Sequence, residues 1–166
     1  FIRLYATRNG RWGSPKLLAG ESYGTTRAAA LASHLQDRLG MNLNGLLLIS
    51  SILNFQTARF DQGNDLPYVL FLPSFTAAAW FHGKLPEGRQ KDREAALAEA
   101  EAFAEGDYLL ALMQGSKLPD DQRSEIARRV ARLTGLSPDY VEQCNLRVSI
   151  FRFVKELLRE ERRTVG

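Results

Sequence analysis

Five consecutive residues, Gly20-Glu21-Ser22-Tyr23-Gly24, set a serine between two glycines at the spacing G-x-S-x-G. The chemistry this spacing serves is acyl transfer. A serine on a sharp strand-to-helix turn presents its Oγ, and the N–H groups of the following helix offer positive potential to a developing oxyanion. The expected reason for the two glycines is steric: a Cβ at either flanking position would meet the neighbouring strand or helix. A serine hydroxyl also needs a base and an orienting acid. His34 is a poor base, because it follows Ser22 by twelve residues along one helix, roughly 16–18 Å away at helical rise. His82 closes the stretch Trp80-Phe81-His82-Gly83 with no strand before it. In enzymes built on such a turn the order is serine, acid, then histidine on a late loop, which His82 does not fit. Cys144, the single cysteine, reads as a buried small apolar residue and excludes an intrachain disulfide.

The elements around the serine follow from local pattern. Phe1–Thr7 is amphipathic and reads as the last turns of a helix, and Asn9–Pro15 is turn chemistry. Lys16–Gly20 and Leu46–Ser51 read as buried strands, with a helix over Tyr23–Leu39 between them that Gly40 ends as a C-cap. Residues 16 to 51 are thus expected to form a βαβ unit with a parallel pair. Further on, an apolar run lies between Pro67 and Pro73, and a helix is expected over Ser74–His82 with Ser74 as its cap. Asp92–Glu105, Tyr108–Met113 and Pro119–Thr134 read as helical, Ser137-Pro138 as an N-cap followed by proline at the first helical position. In a last helix Ile150, Val154, Leu157 and Leu158 share one face, opposite Arg152, Lys155, Glu156 and Arg159. Composition shifts near Pro86, so the expected division is an α/β segment over 1–88 and a helical segment over 89–166.

The chain has 166 residues, 45% of them hydrophobic and 25% charged, which is the balance of a globular domain and not of a disordered or collagen-like chain. Apolar runs stop at about eight residues, short of a membrane-spanning helix. Lys plus Arg is 22 against 19 Asp plus Glu, a net charge of +3. The arginines alternate with acids, as in Arg159-Glu160-Glu161-Arg162-Arg163, which reads as a solvated helix face and not as a phosphate-binding patch. No nucleic-acid or membrane partner is therefore expected.

The Gly-Glu-Ser-Tyr-Gly turn, preceded by Ser14-Pro15-Lys16-Leu17-Leu18-Ala19 and followed by Thr25-Thr26-Arg27, resembles the nucleophile segment of the serine carboxypeptidases, above all their bacterial branch. The stretch from Tyr68 to Leu85 is similar to a later segment of that branch. The resemblance implies a partial α/β-hydrolase fold, the nucleophile βαβ unit, with a mostly helical cap matched by residues from about 90 to 160. It implies Ser22 as the acylated nucleophile and the Tyr23 backbone N–H as one oxyanion donor. Gly20 and Gly24 form the elbow, and Glu21 recognises a substrate's terminal carboxylate. A carboxyl donates a hydrogen bond only when protonated, so that role favours acidic pH; the other reading of Glu21 is a buried acid that stabilises the elbow. The substrate is a peptide, and neither metal nor cofactor is needed. By the same resemblance, the second oxyanion donor lies before Phe1 and the triad Asp and His after Gly166. The 166-residue chain alone is then expected to be inactive, and self-association or pairing with the rest of the enzyme is expected. The family points to a secreted or periplasmic setting. Alternatives are an esterase or acyltransferase on the same fold, or a non-catalytic helical interaction module, which an exposed apolar patch on the Ile150–Leu158 helix would favour.

Overall fold

The computed structural model describes residues 1–165. By their contacts these fall into two bodies, Phe1–Phe55 and the residues from Gln56 onward. The division comes after Phe55 and not at 88, because the Leu66–Phe81 helix packs with helices that follow it in sequence.

The first body is the expected βαβ unit with a helix before it: α1 (Ile2–Arg8), β1 (Leu17–Glu21), α2 (Tyr23–Leu39) and β2 (Gly45–Ile49). The strands are parallel, in register from Leu17 opposite Gly45 to Glu21 opposite Ile49. A parallel pair requires a crossover, which α2 supplies while packing on both strands. Gly40 ends α2 in the left-handed region at φ 60°, its N–H donating to the Gln36 carbonyl and that of Met41 to the Leu35 carbonyl. This is the closing motif that glycine adopts without a Cβ penalty. Ala6, Leu35 and Met41 form a small core. The strands are not buried as expected. Leu46, Leu47, Leu48 and Ile49 are 41–53% exposed, since a single helix and a single paired strand cover them only in part.

The second body is helical. Its main elements are α3 (Leu66–Phe81), α4 (Glu87–Gln90), α5 (Arg93–Phe103), α6 (Leu109–Gln114), α7 (Asp120–Thr134), α8 (Pro138–Gln143) and α9 (Ile150–Glu156). Helix α3 runs through the prolines. It begins at Leu66 with Pro67 in its first turn and continues past Pro73, so Ser74 lies inside it and caps nothing. Proline at 73 cannot donate to the carbonyl four residues back. Burial overrides that loss: Val69, Leu72, Phe75 and Ala79 all enter the core. The helix expected over Asp92–Glu105 holds α-geometry only to Phe103. A wider π-turn follows over Ala104–Tyr108, interrupted by non-helical backbone at Gly106. As expected, the Ser137 Oγ accepts from the Tyr140 N–H; the Asp92 carboxylate, not singled out in the sequence, caps α5 by accepting from the Ala95 N–H.

Helices α5 and α7 pack against α3. Phe75 of α3 stacks on Phe153 of α9 with ring centroids 4.2 Å apart. Leu157 and Leu158 are buried, and Ile150 and Val154 pack against the same core. The apolar face of the last helix is therefore inside the body and is not the exposed patch that an interaction module would present. Cys144 is buried, as expected. Gly135, the C-cap of α7 at φ 72°, sits against the chain at Lys84, where an added Cβ would lie 2.8 Å from the Lys84 Cβ.

Candidate active site

The G-x-S-x-G segment spans the carboxyl end of β1 and the first turn of α2. Ser22 is the residue between them, with φ 53° and ψ −122°. A non-glycine residue with positive φ outside the left-handed helical well stores about 1–3 kcal/mol, and such strain persists only where surrounding bonds fix it. Here the bonds are visible. The Ser22 N–H donates to the Ile49 carbonyl of β2 at 2.9 Å. The Ser22 carbonyl accepts from the Thr25 N–H at 3.0 Å and from the Thr25 hydroxyl at 2.7 Å. Thr25 is buried, so both of its donors are held in place.

The two glycines differ. A Cβ on Gly20 would lie 2.2 Å from the Gly24 carbonyl oxygen, a contact no side chain can make. A Cβ on Gly24 would meet nothing within 4 Å. The steric argument holds for Gly20 and fails for Gly24, whose carbonyl, not its α-carbon, closes the turn.

Ser22 and Glu21 are exposed, and Tyr23 is 58% exposed. Exposure of Glu21 removes the reading of it as a buried acid beneath the elbow and leaves its carboxyl reachable by a ligand. Tyr23 opens α2, so its N–H has no carbonyl one helical turn back to pair with. Together with the dipole of α2, a helix of 17 residues, this gives the serine a donor-rich side. The Tyr23 ring tilts against Phe55 at 5.9 Å and forms an aromatic wall next to the serine.

His34 is an exposed residue well along α2 and is not brought to Ser22. His82 caps α3 in the second body, edge-on to Phe81. No group of three or more His, Cys, Asp or Glu is arranged to hold a metal among the described residues. One residue was missed in the sequence. Ser50, directly after Ile49, also has positive φ, 51°, so the parallel strands end in two adjacent strained serines. The only sequence signal was a small polar residue closing an apolar run.

Compared with protein-family models, with curated proteins and with solved structures, the chain gives no significant match.

Proposed function

We propose that Ser22 is the acyl-accepting nucleophile of a serine carboxypeptidase-like hydrolase that cleaves C-terminal peptide bonds. The observation that carries this reading is the Ser22 backbone, φ 53° and ψ −122°, pinned at the junction of a parallel strand and a helix. A strained serine with an exposed side chain is costly unless its direction matters, and this direction is the one a nucleophile elbow needs. Attack of Oγ on a peptide carbonyl forms a tetrahedral oxyanion beside the Tyr23 N–H. A general base takes the Oγ proton and returns it to the leaving nitrogen, so collapse expels the terminal amino acid as its amine and leaves an ester on Ser22, which water, deprotonated by the same base, then hydrolyses. The exposed Glu21 carboxyl, one residue before the nucleophile, takes the substrate's terminal carboxylate. His34, the histidine of the first body, lies well along α2 and is not the base.

The test uses the full-length gene product that carries this sequence. A blocked dipeptide with a free carboxyl terminus is expected to be cleaved, the same dipeptide amide poorly, and Ser22→Ala to abolish both activities while leaving the circular dichroism unchanged. Cleavage of simple esters without peptides would move the assignment to an esterase. Activity surviving in Ser22→Ala would end it.

A further inference from the structure

The second body contains a cavity of about 750 Å³ between the segment that leads into α3, the turn after α8 and the start of α9. Three guanidinium groups line it, from α7 (Arg123), the turn (Arg147) and α9 (Arg152). Arg147 is committed to structure. It grips both carboxylate oxygens of Asp65, at 2.6 and 2.8 Å, and donates to the Leu112 carbonyl at 3.0 Å. The other two are not held by a carboxylate. Arg123 donates to the Asn145 side-chain carbonyl, and Arg152, at the start of α9, is an exposed side chain beside Cys144 in the lining. Among the described residues neither has a carboxylate within 4.0 Å.

The charges of the lining are therefore unbalanced. Against three arginines stand Asp65, which Arg147 occupies, and Asp61, which leaves an excess of one positive charge. A guanidinium has five N–H donors in a planar fork and keeps its charge at any working pH. Two such forks without a carboxylate partner in a concave wall retain donors for an oxyanion and raise the local potential. The wall between them is fixed. Asn145 and Leu146 are successive non-glycine residues at φ 52° and 63°. Leu146 is buried, its N–H bonded to the Val141 carbonyl at 3.0 Å and its own carbonyl to the Tyr108 hydroxyl at 2.7 Å. Also in the lining, the Phe60 and Tyr68 rings meet edge to face at 5.1 Å and supply an apolar surface. The volume is that of a small-molecule site, far larger than an inorganic ion requires.

We infer that this cavity binds a small organic oxyanion, with a carboxylate or phosphate head on Arg123 and Arg152 and an apolar body against Phe60 and Tyr68. The inference is independent of the role assigned to Ser22.

The test is a nuclear magnetic resonance titration of the whole chain, labelled with nitrogen-15, using benzoate, phenyl phosphate, inorganic phosphate and neutral benzamide. Benzoate or phenyl phosphate is expected to shift the amides of residues 144–152 saturably. Which of the two binds tighter assigns the head as carboxylate or phosphate. The paired variant Arg123→Gln with Arg152→Gln is expected to weaken that binding at least about tenfold. Arg152→Gln alone, at an exposed side chain, gives a smaller loss in a variant that folds. Equal binding of benzamide, binding of inorganic phosphate alone, undiminished binding in the folded variants, or no shift with either aromatic anion would overturn it.

Discussion

The two bodies handle backbone strain in opposite ways. In the first, Ser22 is strained and exposed, and hydrogen bonds alone hold it: Ile49 on one side, Thr25 on the other. In the second, Leu146 is strained and buried, so packing and hydrogen bonds act together. The cores differ in the same direction. The first body buries few apolar side chains and leaves its parallel strands half open, whereas the second collects the apolar faces of α3, α5, α7 and α9 around one core. Parallel strands are ordinarily covered on both faces. The difference shows two ways of fixing a strained residue, by hydrogen bonds to Ile49 and Thr25 at Ser22 and by burial together with hydrogen bonds at Leu146.

The sharpest way to break this comparison is to cut into each body. Phe153→Ala, which removes a buried ring stacked on Phe75, is expected to cost about 3–5 kcal/mol in denaturant unfolding of the second body, while Leu47→Ala on the half-open strand costs under about 1 kcal/mol. Similar costs at the two sites would show that the strands are covered after all. Next comes the elbow. Gly20→Ala should cost about 3 kcal/mol or more, since its Cβ collides with backbone. Gly24→Ala should be neutral or gain up to about 1 kcal/mol from helix propensity. Amide exchange across β1 and β2 distinguishes them, and equal effects would deny the asymmetry of the two glycines. A smaller effect tests the strain itself. Ser22→Gly is expected to stabilise the first body by about 1 kcal/mol, and Ser22→Ala to leave it unchanged.

The smallest effect is a surface one in the second body. Glu99 is held below the usual carboxylate range by its hydrogen bonds from Arg89. A lowered folded-state pKa adds stability above the unfolded pKa and loses it as pH falls through the folded value. Glu99→Gln should therefore destabilise by under about 1 kcal/mol at neutral pH, with the difference fading in acid. A constant difference from neutral to strongly acid pH would refute the pairing.

What was legible in the sequence was what local chemistry decides. Gly40 marks the end of α2 because only a left-handed cap fits there, and the flanking apolar runs mark both strands. Ser137-Pro138 marks the start of α8 for the same kind of reason. The strand-to-helix turn at Ser22 was legible because its five residues are contiguous. What was not legible depends on distant partners. Pro73 argues against a helix locally, and only burial of Val69, Leu72 and Phe75 reverses it. Exposure of the strands cannot be read from their leucines, because the same sequence serves a covered strand. The arginine-lined cavity draws on α7, a turn and α9, three places with no common spacing, so no motif announces it. Which glycine of the elbow is sterically required is likewise a matter of where one carbonyl points.

The bond from the Ser22 N–H to the Ile49 carbonyl has a consequence in time. The donor and the acceptor are separated by the whole of α2, the turn that follows it and all of β2 up to its last residue. While the chain is being synthesised, Ser22 is an ordinary serine in relaxed backbone until Ile49 has emerged and β2 has paired. The strained conformation is thus set late, by strand pairing, and the nascent chain carries Ser22 in an unstrained form until then.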